Sequence, residues 1–357
     1  MRWTRSVFHS IPESTFRKRM FGVVKLQGRL LRALCRSSAG TTIDLEWMKS
    51  VWPIEPDEWI SKFLNNDKGR RAAWCQTIAG STESDKQRIL ILWREQLHFR
   101  RLYKNQSRHR FTLHGWKVDP FAAANKLLKS FYAPLFYQDE GYSDGTTSLF
   151  HKEHYLGGMS RPKVCPYTDT TFQDTKLDHF LPQDSFPMLS CHPDNLIPCS
   201  TDSNSGSHKG KTIPLDLSAP VQAANWFHPR LRPASDTFNL GFSTTTAHPT
   251  VSFHAKASHD QPRLDNLTSM FGLIEFWSRD LDDEIALIAG EIADGIKFSG
   301  GTPDGLTVRL ALQRQQQRLS QRIGHDDKAI VKASFIGHLI STPSLFAQIL
   351  RTCTAGT

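Results

Sequence analysis

Residues 177–210, LDHFLPQDSFPMLSCHPDNLIPCSTDSNSGSHKG, constrain this chain more than any other stretch. Two short apolar runs separated by a loop carry Asp178, His179, Asn195, Asn204 and His208 in a fixed order. The first run ends in Asp178-His179, and neighbouring side chains of a strand point to opposite faces, so one of the pair can face a metal while the other faces a water molecule. The loop that follows is rich in Pro, Asp, Ser and Cys and too long for a tight hairpin, and it closes at Asn195 before the second run, Leu196-Ile197-Pro198. An Asn there can brace the first strand. Ser203 to Lys209 reads as a helix start with Ser or Asn as its cap, and i, i+4 spacing puts Asn204 and His208 on one face. Asp178 and that face could share one cation. Mg²⁺ favours oxygen ligands and keeps several waters, so a carboxylate and an amide oxygen, completed by phosphate and water, make a site. His179 is then the general base, because an imidazole near its unperturbed pKa accepts a proton at neutral pH.

This order of residues resembles the HNH endonuclease family, whose ββα-metal motif is a strand ending in Asp-His, a loop with Asn, a second strand, and a helix carrying Asn or His. The match covers about residues 160–212. The resemblance implies that His179 deprotonates the attacking water, Asp178 binds the metal, and Asn195 orients the loop and the base. It makes Asn204 the second metal ligand, with His208 a substitute or an addition, and it leads us to expect DNA contacts from Lys209 and Lys211. The cofactor it implies is Mg²⁺ or Mn²⁺. Many relatives pin the motif with a structural zinc held by two Cys-x-x-Cys pairs. The matching positions here are Cys165 and Thr168, then Ser200 and Ser203, so three of four thiolates are missing. No structural zinc is expected, and an irregular site from Cys165, Cys191, His192 and Cys199 is the alternative. Packing against the rest of the chain must then replace the folding free energy that zinc supplies. Taken singly, each element has a plainer reading: a hydrogen-bonded strand-end His, a turn Asn, a helix cap, a solvated side chain.

Length and charge agree with a nucleic-acid enzyme. At 357 residues the chain is far longer than the motif needs, so the motif is embedded. The 44 Lys plus Arg against 35 Asp plus Glu give a net charge of +9, which favours polyanion binding through counterion release. Six scattered cysteines without a dense framework or secretory leader fit a reducing cytoplasm, and no apolar run is long enough for a membrane span.

The flanks read as helical. The start is the most basic segment, Arg2 to Arg36 holding the single acid Glu13, and Phe21, Val24, Leu30, Leu31 and Leu34 recur at roughly helical spacing. That segment is either an amphipathic helix with a solvated basic face or a contact for DNA, with an organellar transit peptide the weakest alternative. Helix starts are read at Thr42 to Glu46 and at Pro56, a longer helix from Ser84 to about Lys104, and another from Pro120 to Phe136. Trp47, Trp52, Trp59, Trp74 and Trp93 are expected to build that core. The basic run from Arg100 to Arg110, interleaved with Phe99, Tyr103 and Phe111, suits stacked bases or, preferably, inward-packed aromatics. Residues 213–262, rich in Pro, Ser, Thr and His, read as an appendage with strands at Thr237 to Phe242 and Thr250 to Ala255, and His248, His254 and His259 as surface histidines. Helices return from Arg263: one holding Leu267 to Trp277, one from Leu281 to Ile296, and, after Gly300 to Gly305, one from Val308 to Ile323.

The expectation is an α+β protein: a basic helical region over 1–140, an HNH ββα-metal unit over 141–212, a loop-rich appendage over 213–262 and a helical region over 263–357. It cuts DNA with a divalent ion and is similar to nucleases of bacterial mobile elements and antiviral defence, which is analogy only. A DNA-binding module that does not cut, and a nuclease active only with a regulatory protein subunit, are the rival readings, and RNA stays open as substrate.

Overall fold

Between Arg17 and Arg36 nothing breaks a helix, and Met20, Val23, Val24, Gln27, Leu30, Leu31 and Leu34 recur every three or four residues, so this segment forms one amphipathic helix, α1 (Arg17–Arg36), with that face buried. A computed structural model describes residues 14–104, 111–136, 141–142, 150–159, 164–172, 174–204, 209–218, 220–243, 249–279 and 281–355. The fold is α+β, about 56% helical, with two small antiparallel two-stranded sheets.

Five helices follow α1: α2 (Leu45–Val51), α3 (Asp57–Asn65), α4 (Arg70–Ala79), α5 (Glu83–Leu97) and α6 (Arg100–Tyr103). The caps are local. The Asp44 carboxylate accepts from the Trp47 amide at the start of α2, and the Thr82 hydroxyl accepts from the Asp85 amide at the start of α5. Helix α4 lies within the stretch expected to be mostly helical, but the sequence marks no separate start for it. Its buried side includes Arg71, whose guanidinium reaches the Phe63 carbonyl at 3.0 Å, and a buried arginine breaks the apolar pattern that marks a helix. Next come α7 (Phe121–Ser130) and a short helical continuation, Phe131–Phe136, in which Ala133 is extended because Pro134 follows it. Then comes α8 (Lys152–Gly157). Trp52, Trp59 and Trp93 are buried in the core of this half, with Trp47 and Trp74 packed against it.

Strand β1 (Thr175–His179) pairs antiparallel with β2 (Leu196–Ser200), Asp178 opposite Ile197 and His179 opposite Leu196. Strand β3 (Phe238–Ser243) pairs with β4 (Thr250–Ala255), one residue from the expected bounds. The rest is helical: α9 (Gln261–Phe271), α10 (Leu273–Ser278), α11 (Leu281–Phe298), α12 (Gly305–Gln321), α13 (Ala329–Ser341) and α14 (Pro343–Ala355). The single helix expected through Leu267 and Trp277 is two, because Gly272 adopts φ +58° and ends α9 in a left-handed turn. Among the described residues no single helix is long and apolar enough to cross a membrane.

The hydrophobic interior forms two clusters, and the β1–β2 hairpin lies on the seam between them. Leu177, Met188, Cys191 and Leu196 join the core built by α1, α3, α5 and α7. Phe180, Leu181, Ile197 and Cys199 join the core built by β3, β4 and α9 to α14. Residues 213–262 are not peripheral to this arrangement: Leu215, Val221, Phe227, Val251 and Phe253 are all buried in the second core, so the segment expected as an appendage is part of the interior.

Packing is close where α1 crosses α5. A Cβ on Gly28 would sit 2.7 Å from Cζ2 of the buried Trp93 indole, which two packed helices cannot accommodate without shifting. Gly28→Ala is expected to destabilise the protein by about 1–3 kcal/mol despite alanine's better helix propensity. A urea or guanidinium titration checks this, and an unchanged or higher midpoint contradicts the packing.

Candidate functional site at the hairpin seam

The residues that the sequence singles out sit on a hairpin whose two strands are joined by residues 180–195, and Asn195 closes that loop. Its amide nitrogen donates to the carbonyls of Leu181 and Leu189 at 3.0 and 3.2 Å, and its Oδ1 accepts from the Leu181 amide at 2.7 Å. The residue is fully buried. Three buried hydrogen bonds from one side chain satisfy backbone groups that a non-repetitive loop would otherwise leave unpaired. Asn195 thus braces the loop against the end of β1.

Asp178 and His179 point to opposite faces, as the period of a strand requires. His179 faces the first core. Its Nε2 lies 2.9 Å from the Ser190 carbonyl, and its ring meets Tyr132 edge-on at 4.3 Å. Donation of Nε2–H to that carbonyl leaves Nδ1 as the nitrogen with the free lone pair. Burial pushes the imidazole pKa down to about 4, against the raising effects of the Ser190 carbonyl and Asp178, so the ring is neutral at pH 7. Ser190 is itself fixed from two sides. Its hydroxyl donates to the Leu128 carbonyl of α7 at 3.0 Å and lies 3.1 Å from the Gln27 amide of α1. Tyr132, which follows α7, also donates to the Leu177 carbonyl at 3.3 Å, so the aromatic segment upstream of the motif packs directly on it.

Asp178 faces the second core and is almost wholly buried. One carboxylate oxygen accepts from the Tyr167 hydroxyl at 2.7 Å and the other from the Lys209 ammonium at 3.0 Å. Lys209 also donates to the His179 carbonyl at 2.7 Å, and only 1% of the residue is exposed. The expectation that Lys209 meets DNA phosphate therefore fails. A carboxylate taken out of water on this face needs a cation, and the lysine supplies it. Lys211 is different: its side chain is 87% exposed, 3.3 Å from Asp184 on the surface. Asn204 ends a short 3₁₀ turn, Asp202–Asn204, and Lys209–Lys211 form a turn, so the described parts of the helix start expected over Ser203 to Lys209 are not α-helical; the Asn204 side chain and the whole of His208 lie outside the described residues.

Cys165, Thr168, Ser200 and Ser203 come together in one knot beside the hairpin. The Ser203 hydroxyl is 3.2 Å from Cys165 Sγ, 3.3 Å from Thr168 Oγ1 and 2.7 Å from Ser200 Oγ, while the Ser200 amide donates to Cys165 Sγ at 3.4 Å. All four residues are buried. The other combination weighed from the sequence does not assemble: among the described residues no group of three or more His, Cys, Asp or Glu side chains is placed to share a metal ion, and Cys191 bonds instead to the Tyr142 hydroxyl at 3.3 Å. His254 bonds to Ser252 and His259 lies beside Asp260 at the surface, and His248 is outside the described residues.

A second buried polar group escaped the sequence reading because its members are far apart in the chain. Asp194, in the loop before β2, pairs with Arg17 of α1 at 2.6 Å and Arg100 of α6 at 3.2 Å. His192 Nδ1 accepts from the Asp194 amide, and its ring is clasped edge-on between Phe21 and Phe99. His228, from the Trp226-Phe227-His228-Pro229 run, lies against Phe180, the residue after the Asp-His pair, at 4.4 Å. Burial holds His192 at about 4 and His228 at about 3. Arg100, Phe99, Tyr103 and Phe111 thus serve packing and pairing, while Arg108 to Arg110 lie outside the described residues.

No family model, curated protein or solved structure matches this chain.

Three histidines with folded-state pKa values of about 4, 4 and 3 make a definite pH prediction. Their folded pKa values lie below the ordinary value of 6.5, so the unfolded chain binds more protons and stability falls as pH drops from about 6.5 toward 4. Each histidine contributes up to about 1.4 kcal/mol per pH unit in that window. Denaturant midpoints measured from pH 7 to 4.5 should fall steeply, and the slope should lessen in His192→Gln or His228→Gln. Stability flat across the window contradicts the buried, neutral state.

Proposed function

We propose that the hairpin and the knot beside it are the ββ part of an HNH-type ββα-metal unit, and that the chain is an endonuclease hydrolysing phosphodiester bonds of DNA. The observation that supports this most is the knot. Cys165, Thr168, Ser200 and Ser203, two pairs spaced i, i+3 in separate segments, meet in space next to a strand ending in Asp-His, where the resemblance puts a zinc knuckle. Hydroxyls and one thiol hold by hydrogen bonds a junction that relatives hold by coordination.

The residues divide the work by chemistry. His179 is the general base in this reading: the Ser190 carbonyl orients its tautomer and leaves its second nitrogen to take up a proton, but burial lowers its pKa to about 4, so it is a weaker base than the unperturbed imidazole expected from the sequence. Asn195, Gln27, Ser190 and Tyr132 are positioning residues for it. The cofactor that the resemblance implies is Mg²⁺ or Mn²⁺, but the described residues alone do not form its site. Asp178 is the one carboxylate there, and both its oxygens are engaged. The remaining ligands of this reading are the Asn204 side chain and His208.

The Lys209–Asp178 pair favours a second reading, a nucleic-acid-binding module of the same fold that does not cut, since the ammonium already neutralises the carboxylate. Incubation with supercoiled plasmid, linear DNA and RNA, with Mg²⁺, Mn²⁺ or chelator, separates the two. The nuclease reading expects divalent-dependent cleavage by the wild type that drops about 10²–10⁴-fold in a folded His179→Ala. Binding without cleavage, in the wild type and in Lys209→Met alike, supports the module. A requirement for a regulatory subunit would appear as cleavage only on its addition.

The knot makes its own prediction. Thr168→Cys, Ser200→Cys and Ser203→Cys together are expected to complete a four-thiolate set with Cys165, binding one zinc per chain and making thermal stability chelator-sensitive. Cobalt substitution reads out tetrahedral thiolate coordination directly. A triple variant that folds but binds no metal removes the main support for the HNH reading.

A further inference from the structure

We infer that α1 carries a docking surface for the phosphate backbone of duplex nucleic acid, on the side of the helix away from the hairpin. Five residues of α1 are exposed, and all five are cations: Lys18, Lys25, Arg29, Arg32 and Arg36. At 100° per residue they fall within one stripe about 60° wide, and 18 residues at 1.5 Å rise make that stripe about 27 Å long. The helix contains no acid, and none of the five forms an ion pair or hydrogen bond among the described residues. Surface cations that serve stability are usually laced with carboxylates at i, i+3 or i, i+4, as Lys62 is with Glu58 on α3. Five unpaired like charges on one helix instead repel one another, and the arrangement is favourable only against a polyanion.

The surroundings select the occupant. The groove along the second half of the stripe is lined by Arg29, Arg32, Arg36, Trp47, Ser50 and Val51, without a carboxylate. Glu55 is the acid lining the neighbouring hollow with Lys25 and Arg29, and it is buried. The apolar face of α1 is already committed to the core through Met20, Leu30, Leu31 and Leu34, so the helix cannot roll that face into a lipid bilayer. A stripe of about 27 Å matches the backbone over roughly eight base pairs at 3.4 Å per step. Gln27, which fixes Ser190 behind His179, lies about 180° around the helix from the stripe, so this surface is separate from the candidate site.

The inference does not depend on hydrolysis, and its test avoids hydrolysis. Anisotropy of a labelled 30-base-pair duplex, titrated with the full chain in chelator at several NaCl concentrations, gives the slope of log K against log salt. Arg29→Gln/Arg32→Gln/Arg36→Gln is expected to lessen that slope by about 2.7, at about 0.9 per phosphate contact, and to weaken binding on the order of 10²-fold at 0.1 M salt. The three side chains are exposed, so the melting temperature should hold, and Lys62→Gln, a paired surface cation on α3, should bind as the wild type does. An unchanged slope in the folded triple variant overturns the inference. So does binding of the wild type to phosphatidylserine vesicles with none to the duplex. If duplex binding follows the stripe while no cleavage is found, the nuclease reading fails and this one stands.

Discussion

The three hydrogen bonds of Asn195 are the constraint from which the rest of the site follows. A 16-residue connection between two five-residue strands has little regular structure of its own, and without internal partners its backbone would have to stay in water. With Asn195 joining Leu181 to Leu189, the loop can be buried. Burial then brings Ser190 against α1 and α7, sets its carbonyl beside His179, and lets Asp194 anchor Arg17 and Arg100. One amide side chain thus links the strand ends, the imidazole and the N-terminal helices.

The hairpin can lie between two cores only because it is short and its faces differ. Leu177, His179 and Leu196 turn one way, and Asp178, Ile197 and Cys199 the other, which is the strict alternation of a strand applied to a buried element. A one-residue slip would carry the Asp178 carboxylate into the core that holds His179 and move the imidazole toward Tyr167 and Lys209. Register is therefore specified by polar partners on both sides as well as by apolar burial. That is how a two-stranded sheet, marginal by itself, is held in one arrangement.

Much of this is legible in the sequence where the determinants are local. The strand ends, the bracing of the loop by Asn195, the opposite facing of Asp178 and His179, and the helix starts near Asp44 and Ser84 all follow from residues within a few positions of one another. The parts that were not legible depend on distant residues. Nothing near Ser190 announces that Gln27 will meet it 163 positions away, and Tyr132 carries no mark of its place against His179. Lys209 was misread for a physical reason: a lysine in a polar Gly-Ser run is normally solvated, and only the burial of Asp178 draws it inward. Arg71 hid α4 in the same way, and the buried side chains of 213–262 were masked by the Pro, Ser and Thr around them.

The pairing of Asp178 with Lys209 also bounds what the site can do. A carboxylate this deep is stable only beside a positive charge, and removing that charge alone typically costs about 3–5 kcal/mol. A divalent ion and an ammonium satisfy the same demand, so they compete for one carboxylate and do not act on it together. Metal at Asp178 therefore requires Lys209 to leave both the carboxylate and the His179 carbonyl, and the ammonium must then be neutralised elsewhere or reach water.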